Sequence, residues 1–320
     1  MFYKQRYPRM NHLLGSLRRM NFRQTLARAH GQKLGHGQNA FTVTKDGVLS
    51  AINNVKNINE IHEFDPTLTE EQKQGMKRFL IYRSNPSDPE DQPKFYSYYV
   101  DLKKCNPMYL DALIKIKDEY DPTLTFRRSC REGVCGSCAM NIEGIHDLAC
   151  IKAINKDLSQ PVIITPLSHM FVLKDLVVDM TNFYSQYKKI QPFLKRKTAK
   201  ADPNKEYYQS EEDREKLDGL YECVLCASCS TSCPSYWWHP EKYLGPAVLM
   251  QAYRWVIDSR DEYTDERLEF LGEGIQTEGC ENIGMCTVTC PKHLDPQKSI
   301  QNLLSLLKDF HKRKYETNSL

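Results

Sequence analysis

The sequence predicts an α+β protein with two domains, a mixed sheet domain followed by an all-helical one. Residues 76–166 contain short aromatic and β-branched runs separated by turn residues, whereas residues 211–312 carry apolar positions at helical spacing. Eleven of the twelve cysteines also fall into three tight groups, one in the first part and two in the second. At 320 residues the chain can hold two such domains and an extension.

The N-terminal segment, residues 1–45, has the composition of a targeting peptide. It contains nine Lys or Arg residues and no acidic residue, with leucines at roughly helical spacing. The remainder carries 35 basic and 41 acidic residues and has no basic stripe of the kind that binds nucleic acid. We expect a mitochondrial leader at 1–45, with a basic disordered tail as the alternative, then an N-terminal extension at 46–75.

The first domain is expected at residues 76–185. Runs dense in aromatic and β-branched residues predict its strands, and an apolar stripe through Leu110, Leu113 and Ile114 predicts a helix that ends at Asp121-Pro122. The expected strands are residues 76–83, 94–102, 139–142 and 161–166.

The cysteines of this domain follow the spacing C-x4-C-x2-C, and a fourth comes after eleven intervening residues. This is the plant-type ferredoxin spacing for a [2Fe–2S] cluster. Gly133 and Gly136 within the run tolerate the positive φ that a tight loop needs. We therefore predict a β-grasp [2Fe–2S] ferredoxin domain with the ligands Cys130, Cys135, Cys138 and Cys150.

The second cysteine group has the spacing C-x2-C-x2-C-x3-C-P of bacterial two-cluster ferredoxins, in which the fourth cysteine binds the other cluster. A complementary run downstream ends in Cys290-Pro291, but its second slot holds Ile283. Crossing the fourth ligands leaves one site with four thiolates and the other with three, which predicts [4Fe–4S] and [3Fe–4S] clusters. The [4Fe–4S] ligands are then Cys223, Cys226, Cys229 and Cys290, and the [3Fe–4S] ligands are Cys233, Cys280 and Cys286.

These runs belong to an expected helical ferredoxin domain at residues 211–312, with a linker at 186–210 and a tail at 313–320. Disulfides are disfavoured because the leader indicates a mitochondrial interior, and zinc is disfavoured because three cysteines repeat at x2 spacing. Cys105 is left over as an ordinary thiol. Charged residues interrupt every long apolar stretch, so we expect membrane contact to be peripheral.

The chain closely resembles the iron–sulfur subunits of mitochondrial succinate dehydrogenase, respiratory complex II. The resemblance covers roughly residues 77–312. It rests on SCREGVCGSCAMNI at 129–142, LYEC at 220–223, STSCPSYWW at 230–238, YLGPA at 243–247 and IDSR at 257–260.

That resemblance implies an electron-transfer subunit at the matrix side of the mitochondrial inner membrane. Electrons from succinate would pass through the FAD of a flavoprotein subunit, then [2Fe–2S], [4Fe–4S] and [3Fe–4S], to ubiquinone. The first domain would face the flavoprotein and the second the membrane-anchor subunits. The complex would be a succinate dehydrogenase (quinone), in which this chain performs no bond chemistry.

The resemblance also implies a ubiquinone pocket beside the last cluster, with Trp238 as the best hydrogen-bond donor through its indole. The residues implied are Pro234, Ser235, Trp237, Trp238 and Ile283. Either tryptophan could instead only pack against the anchors. Glu281 stands where relatives commonly have histidine, and Ser228 replaces a common non-ligand cysteine.

Two alternative functions remain open at this point. A fumarate reductase iron–sulfur subunit would share the architecture and run the reverse reaction, although the leader and the Trp237-Trp238 pair favour the forward one. A binding module with purely structural clusters is the alternative from another class. Three adjacent clusters on one chain argue against it.

Overall fold

The computed structural model describes residues 61–318 except 89, 200, 201 and 203, and side chains up to residue 316. The expected leader at 1–45 lies outside the described residues, as does the first half of the extension at 46–75. The described part of that extension forms a short edge strand and a helix capped by Thr69, whose hydroxyl accepts from the Gln72 amide. No helix within the described residues is long and apolar enough to span a bilayer.

The first domain is built on a six-stranded mixed sheet with the order β1-β3-β2-β6-β4-β5. β2 pairs antiparallel with β3 and parallel with β6, while β4 pairs antiparallel with both β6 and β5. β7 and β8 form a separate two-stranded ribbon. The strands are β1 (Ile61–Glu63), β2 (Lys77–Arg83), β3 (Lys94–Val100), β4 (Ala139–Ile142), β5 (Ile145–Leu148), β6 (Val162–Thr165), β7 (Val172–Lys174) and β8 (Val177–Val178).

The core of this domain forms between the sheet and one helix. Alternate residues of the strands, such as Phe79 and Ile81 of β2, point to the same side and are fully buried. Leu113 of the helix Tyr109–Lys115 packs into the same cluster, as does Ile116, where a π-helical turn continues that helix to Tyr120. Burying each such side chain contributes roughly 1.5–3 kcal/mol to stability. This burial holds the helix against one face of the sheet.

A buried charge network fixes the loop that leads to the first cysteines. Arg83, at the end of β2, binds Asp121 and donates from Nε to Asp175 Oδ1 at 3.0 Å. Asp175 also accepts from the amides of Ser84 at 3.1 Å and Thr125 at 2.9 Å. Because each carboxylate is both paired and hydrogen-bonded, its burial is compensated.

The second domain is helical, and its core lies between α7 and α10. Pro246 starts α7 at a position where its missing N–H costs nothing. The α-helices within the described residues are α1 (Glu70–Gln74), α2 (Tyr109–Lys115), α3 (Thr181–Lys189), α4 (Glu211–Glu215), α5 (Ser228–Thr231), α6 (Pro234–Trp238), α7 (Pro246–Val256), α8 (Thr264–Leu271), α9 (Met285–Val288) and α10 (Pro296–Asn318).

Arg267 of α8 ties the linker to the helical core. Its guanidinium pairs with Asp261 and donates to the carbonyls of Ile190, Gln191 and Phe193 at 2.8–3.0 Å. All five N–H groups of an arginine can be satisfied in such a cage, so this buried charge is a structural anchor.

The expected strands and the expected helix near Leu110 are present, with small shifts at their ends. Four short strands, β1, β5, β7 and β8, and helices α1 and α3 lack strong sequence patterns. Within the expected helical domain α4 is limited to Glu211–Glu215, and α10 continues into the expected tail as far as Asn318.

Candidate metal centres

The first cysteine group lies at one end of the sheet. Cys138 directly precedes β4 and Cys150 follows β5, so the β4–β5 pairing brings the two together. The amide of Ala149 donates to the carbonyl of Cys138 at 3.2 Å, which closes this end of the hairpin. Cys130 and Cys135 lie in the loop that precedes β4 and complete a set of four.

Backbone amides of this loop already point at the sulfur atoms. The amides of Glu132 and Val134 donate to Cys130 Sγ, each at 3.4 Å, and the Gly133 amide donates to Cys150 Sγ at 3.2 Å. Gly133 has φ 76°, a value that glycine adopts without steric cost and that turns the loop inward. Such donors stabilise negative charge on sulfur.

The pKa values of two thiols in this group move in opposite directions. Hydrogen bonding from the Glu132 amide, first among several donors, lowers the pKa of Cys130 to about 6. Burial raises the pKa of Cys138 to about 12. Cys130 is therefore ready to bind as thiolate, whereas iron must displace the proton of Cys138.

The second group forms a separate cavity in the helical domain. Apart from the thiols, the cavity is lined mainly by apolar residues such as Ala247, Met250 and Leu294. Burial raises the pKa of Cys223 to about 12 and that of Cys229 well above the usual value. The cysteines that line it are the four predicted to share one cluster, Cys223, Cys226, Cys229 and Cys290.

The third group lines another cavity with only three thiols. Cys233, Cys280 and Cys286 meet there, and Ile283 lies beside them. Gly284, with φ 84°, turns the chain between Ile283 and α9. The structure thus brings together the residues of the predicted crossed arrangement, while their role as cluster ligands stays a prediction.

Buried hydroxyls around the third cavity fit an inorganic group. The side-chain oxygens of Ser235 and Tyr243, which line it, are buried without a hydrogen-bond partner among the described residues. The Ser230 hydroxyl is likewise buried without a hydrogen-bond partner among these residues. Because buried polar groups are almost always satisfied, these orphans indicate a missing acceptor, and cluster sulfur would serve.

The three cysteine groups are neighbours in space. A Cβ added at Gly136 of the first loop would lie 2.7 Å from the Val224 carbonyl oxygen and 3.1 Å from Cys226 Cβ, so the first and second groups touch. Cys229 and Cys233 are four residues apart and line different cavities. Electrons could therefore move through consecutive short steps.

The residues implied for quinone binding separate into two sets. Pro234, Ser235 and Ile283 line the third cavity, whereas Trp237 and Trp238 do not. The Trp237 indole donates to the carbonyl of Thr231 at 2.5 Å and stacks on His169 at 4.0 Å.

Trp238 is 58% exposed, and its indole makes no hydrogen bond within the described part of the chain. The indole N–H of Trp238 is therefore available to donate a hydrogen bond to a bound molecule. The resemblance to succinate dehydrogenase iron–sulfur subunits implies such a role. Glu281 also lines the third cavity.

Sequence reasoning missed His146, His169 and Tyr243. His146 could have been found from β5, where inward positions 146 and 148 alternate with outward ones, so that a histidine stands on the buried face. Tyr243 was part of a recognised motif, but no sequence signal shows that its hydroxyl faces Cys280.

Comparison with known proteins matches both halves. Residues 78–185 match a family model described as a 2Fe–2S iron–sulfur cluster binding domain, and residues 222–295 match one described as a 4Fe–4S dicluster domain. The chain thus contains two matched iron–sulfur cluster binding domains. The predicted fold class, a sheet domain for [2Fe–2S] followed by a helical two-cluster domain, is confirmed.

The chain also matches solved structures. A chain of the Mycobacterium smegmatis Sdh1 complex in the apo form has 22% identity and a TM-score of 0.64, with 75% of this chain and 97% of that chain covered. A hypothetical protein from Helicobacter pylori has 17% identity and a TM-score of 0.43, with 75% and 42% covered. The first match shows a shared fold, whereas the second, with its lower TM-score, does not.

Proposed function

We propose that this chain is the electron-transfer subunit of a succinate:ubiquinone oxidoreductase, in which three clusters in series join a flavoprotein subunit to ubiquinone. The proposal rests on two links between the cysteine groups: Gly136 of the first packs against Cys226 of the second, and the segment from Cys229 to Cys233 joins the second to the third. Fold likeness to a chain of the Sdh1 complex supports it. The bound clusters would supply one-electron transfer.

The residues at the third site favour a three-iron cluster. Cys233, Cys280 and Cys286 offer three thiolates, and the aliphatic side chain of Ile283 offers no ligand for a fourth iron. Hydrogen bonds to the sulfur atoms and burial both tune the reduction potential of a cluster. The unpaired hydroxyls of Ser235 and Tyr243 would supply such hydrogen bonds.

Two exposed surfaces suit the partners of such a complex. Near the first cysteine loop, Val134 is 56% exposed and Ile151 39%, which suits a flavoprotein subunit. In the helical domain, Trp238 and Val288 are each 58% exposed and suit membrane-anchor subunits. Membrane contact would be peripheral. A location on the matrix side of the mitochondrial inner membrane rests on the composition of residues 1–45.

The same region offers groups for ubiquinone. Pro234 and Ile283 would shield it from water, and the free indole N–H of Trp238 would donate to a quinone oxygen. Trp237, whose N–H already serves Thr231, would hold α6 in place.

The test measures succinate-driven ubiquinone reduction by the full complex with Trp238→Leu. Quinone reduction should fall on the order of tenfold, since a hydrogen bond to the reacting quinone is lost. Reduction of an artificial acceptor that takes electrons upstream should be unchanged. Phe193→Leu, which alters a side chain of similar exposure in the linker, is the matched control.

Unchanged quinone kinetics in Trp238→Leu would reassign this residue to packing. A wild-type complex with neither succinate nor fumarate activity would reject the function itself. Assaying quinol-driven fumarate reduction in the same preparation decides between the proposed direction and the reverse one.

A further inference from the structure

His146 connects the sheet domain to the second cysteine group. It lies on β5, is 5% exposed, and packs where β5 meets α5. Its Nε2 lies 3.2 Å from the amide nitrogen of Ser168 and 2.9 Å from the hydroxyl of that residue. An amide N–H can only donate, so Nε2 is the acceptor and the proton is on Nδ1.

The other ring nitrogen faces the helical domain. Nδ1 lies 2.5 Å from Ser232 Oγ and 3.3 Å from Thr231 Oγ1. Both hydroxyls donate onward, Ser232 to the carbonyl of Ser228 at 2.8 Å and Thr231 to that of Ala227 at 3.0 Å, so both can accept from Nδ1–H. Every donor and acceptor of this neutral imidazole is used.

A second histidine contacts the same stretch of chain from the loop after β6. His169 stacks on the Trp237 ring at 4.0 Å, with an angle of 18° between the planes. Its φ of 60° is unusual for a residue with a side chain and aims the ring across the domain boundary. The Trp237 indole in turn donates to Thr231, which links the two contacts.

The stretch held in this way, residues 228–237, is called the crossover segment here. It carries Cys229, which lines the second cavity, and Cys233, which lines the third, just as Cys290 and Cys286 join the same two cavities from the last cysteine run. The segment is short, and its two helices, α5 and α6, have four and five residues. Such short helices have little stability of their own and depend on packing.

We propose that His146 and His169 are positioning residues that hold the crossover segment against the sheet domain and so set the relation of the second and third clusters to the first. The inference rests on the proposed function, because it concerns clusters bound at these cysteines. Neither histidine lines a cysteine cavity, so each acts through the segment. Burial lowers the pKa of both imidazoles to about 4, in keeping with neutral rings.

The test uses the assembled complex with His146→Leu and His146→Asn. Leucine removes both hydrogen-bonding atoms, whereas asparagine retains a donor that can reach Ser232. We expect the leucine variant to change the EPR line shapes and potentials of the second and third clusters and to slow quinone reduction on the order of tenfold. The first cluster's signal and upstream acceptor reduction should stay unchanged, and asparagine should restore much of the loss. His62→Leu in β1 is the control and should change none of these.

Unchanged signals and quinone rate in His146→Leu would overturn the inference while leaving the proposed function intact. If that variant fails to assemble, Ser232→Ala and Ser168→Ala, which each remove one hydroxyl that faces the imidazole, decide the matter in the same measurements. A wild-type complex that lacks the second and third signals would instead reject the proposed function, and the inference with it.

Discussion

The first cysteine group and the two buried groups reach the same kind of chemistry by opposite routes. In the first loop, amide donors already surround the sulfur atoms, and they lower the pKa of Cys130 to about 6. In the helical domain, burial dominates and raises the pKa of Cys223 and Cys286 to about 12. At the first site the backbone already stabilises a thiolate at Cys130, whereas Cys138 and the buried cysteines of the helical domain depend on iron to remove their protons.

This difference has consequences for assembly. Without iron the buried cysteines of the helical domain stay protonated, and each thiol must lose its proton inside an apolar cavity as it binds metal. At the first site Cys138 and Cys150 are also buried, but Cys130 and Cys135 are partly exposed, and backbone amides already donate to the Cys130 sulfur. We expect the first cluster to assemble more readily than the other two when iron is limiting, which cluster-specific EPR during reconstitution would show.

The largest expected effect comes from removing a ligand of the first site. Cys135→Ala should abolish the [2Fe–2S] signal together with succinate-driven quinone reduction, because the first step of the electron path is lost. Cys105→Ser is the matched control, since Cys105 belongs to no cysteine group, and it should leave every signal intact. Persistence of the [2Fe–2S] signal in Cys135→Ala would refute this ligand set.

The contact between the two regions can be broken at Gly136. Gly136→Ala and Gly219→Ala both place a methyl group at positive φ, a strain of about 1–2 kcal/mol each. Only the former meets backbone, the Val224 carbonyl at 2.7 Å, whereas nothing lies within 4 Å at Gly219. Chemical denaturation should show Gly136→Ala to be less stable by a further ~1–3 kcal/mol. Equal losses would mean that the two domains do not need this close approach.

The three-thiol site can be tested by supplying the missing ligand. Ile283→Cys should convert [3Fe–4S] to [4Fe–4S], and the added thiolate should lower the potential. Electron delivery to quinone then becomes less favourable by about 1.4 kcal/mol for each 59 mV in a one-electron step, so activity should fall without loss of assembly. An oxidised-state [3Fe–4S] signal at full intensity in this variant would contradict the crossed assignment.

The effect that is smallest near neutral pH is a pH dependence at the domain boundary. His146 has a pKa of about 4 when folded against an ordinary value of 6.5, so between these values the unfolded chain binds one proton more. Its contribution to stability is therefore complete above pH 6.5 and falls by about 1.4 kcal/mol per pH unit down to pH 4. Denaturation at several pH values should show a shallower slope for His146→Asn. Identical slopes would show that His146 is not held neutral.

Much of the fold was predictable because its strongest signals are local. The strand runs near Phe79 and Ile164 and the spacing of the cysteines depend on adjacent residues alone, and they predict both domains. The short strands β7 and β8 and the nine-residue α3 depend on packing against distant segments, so no local pattern marks them. Propensity is a weak signal for elements of this length.

The candidate site, like the fold, has features that local sequence predicts and features that depend on distant contacts. The grouping of Cys233 with Cys280 and Cys286 could be predicted because a known motif specifies the crossing. The contact of Gly136 with Val224 and the hydrogen bonds of His146 could not, because they join residues far apart in the chain. The motif that contains Trp237 implied a place in the quinone pocket. Its indole N–H instead donates to the Thr231 carbonyl, and the ring does not line the third cavity.

The central claim is that three clusters of different type occupy this chain in series. The most direct test is an EPR-monitored redox titration of the purified complex with succinate as reductant. We predict three distinct centres, including an oxidised-state [3Fe–4S] signal that disappears on reduction and a [2Fe–2S] signal that succinate produces. Finding only two centres, or no [3Fe–4S] signal in the oxidised complex, would contradict the account.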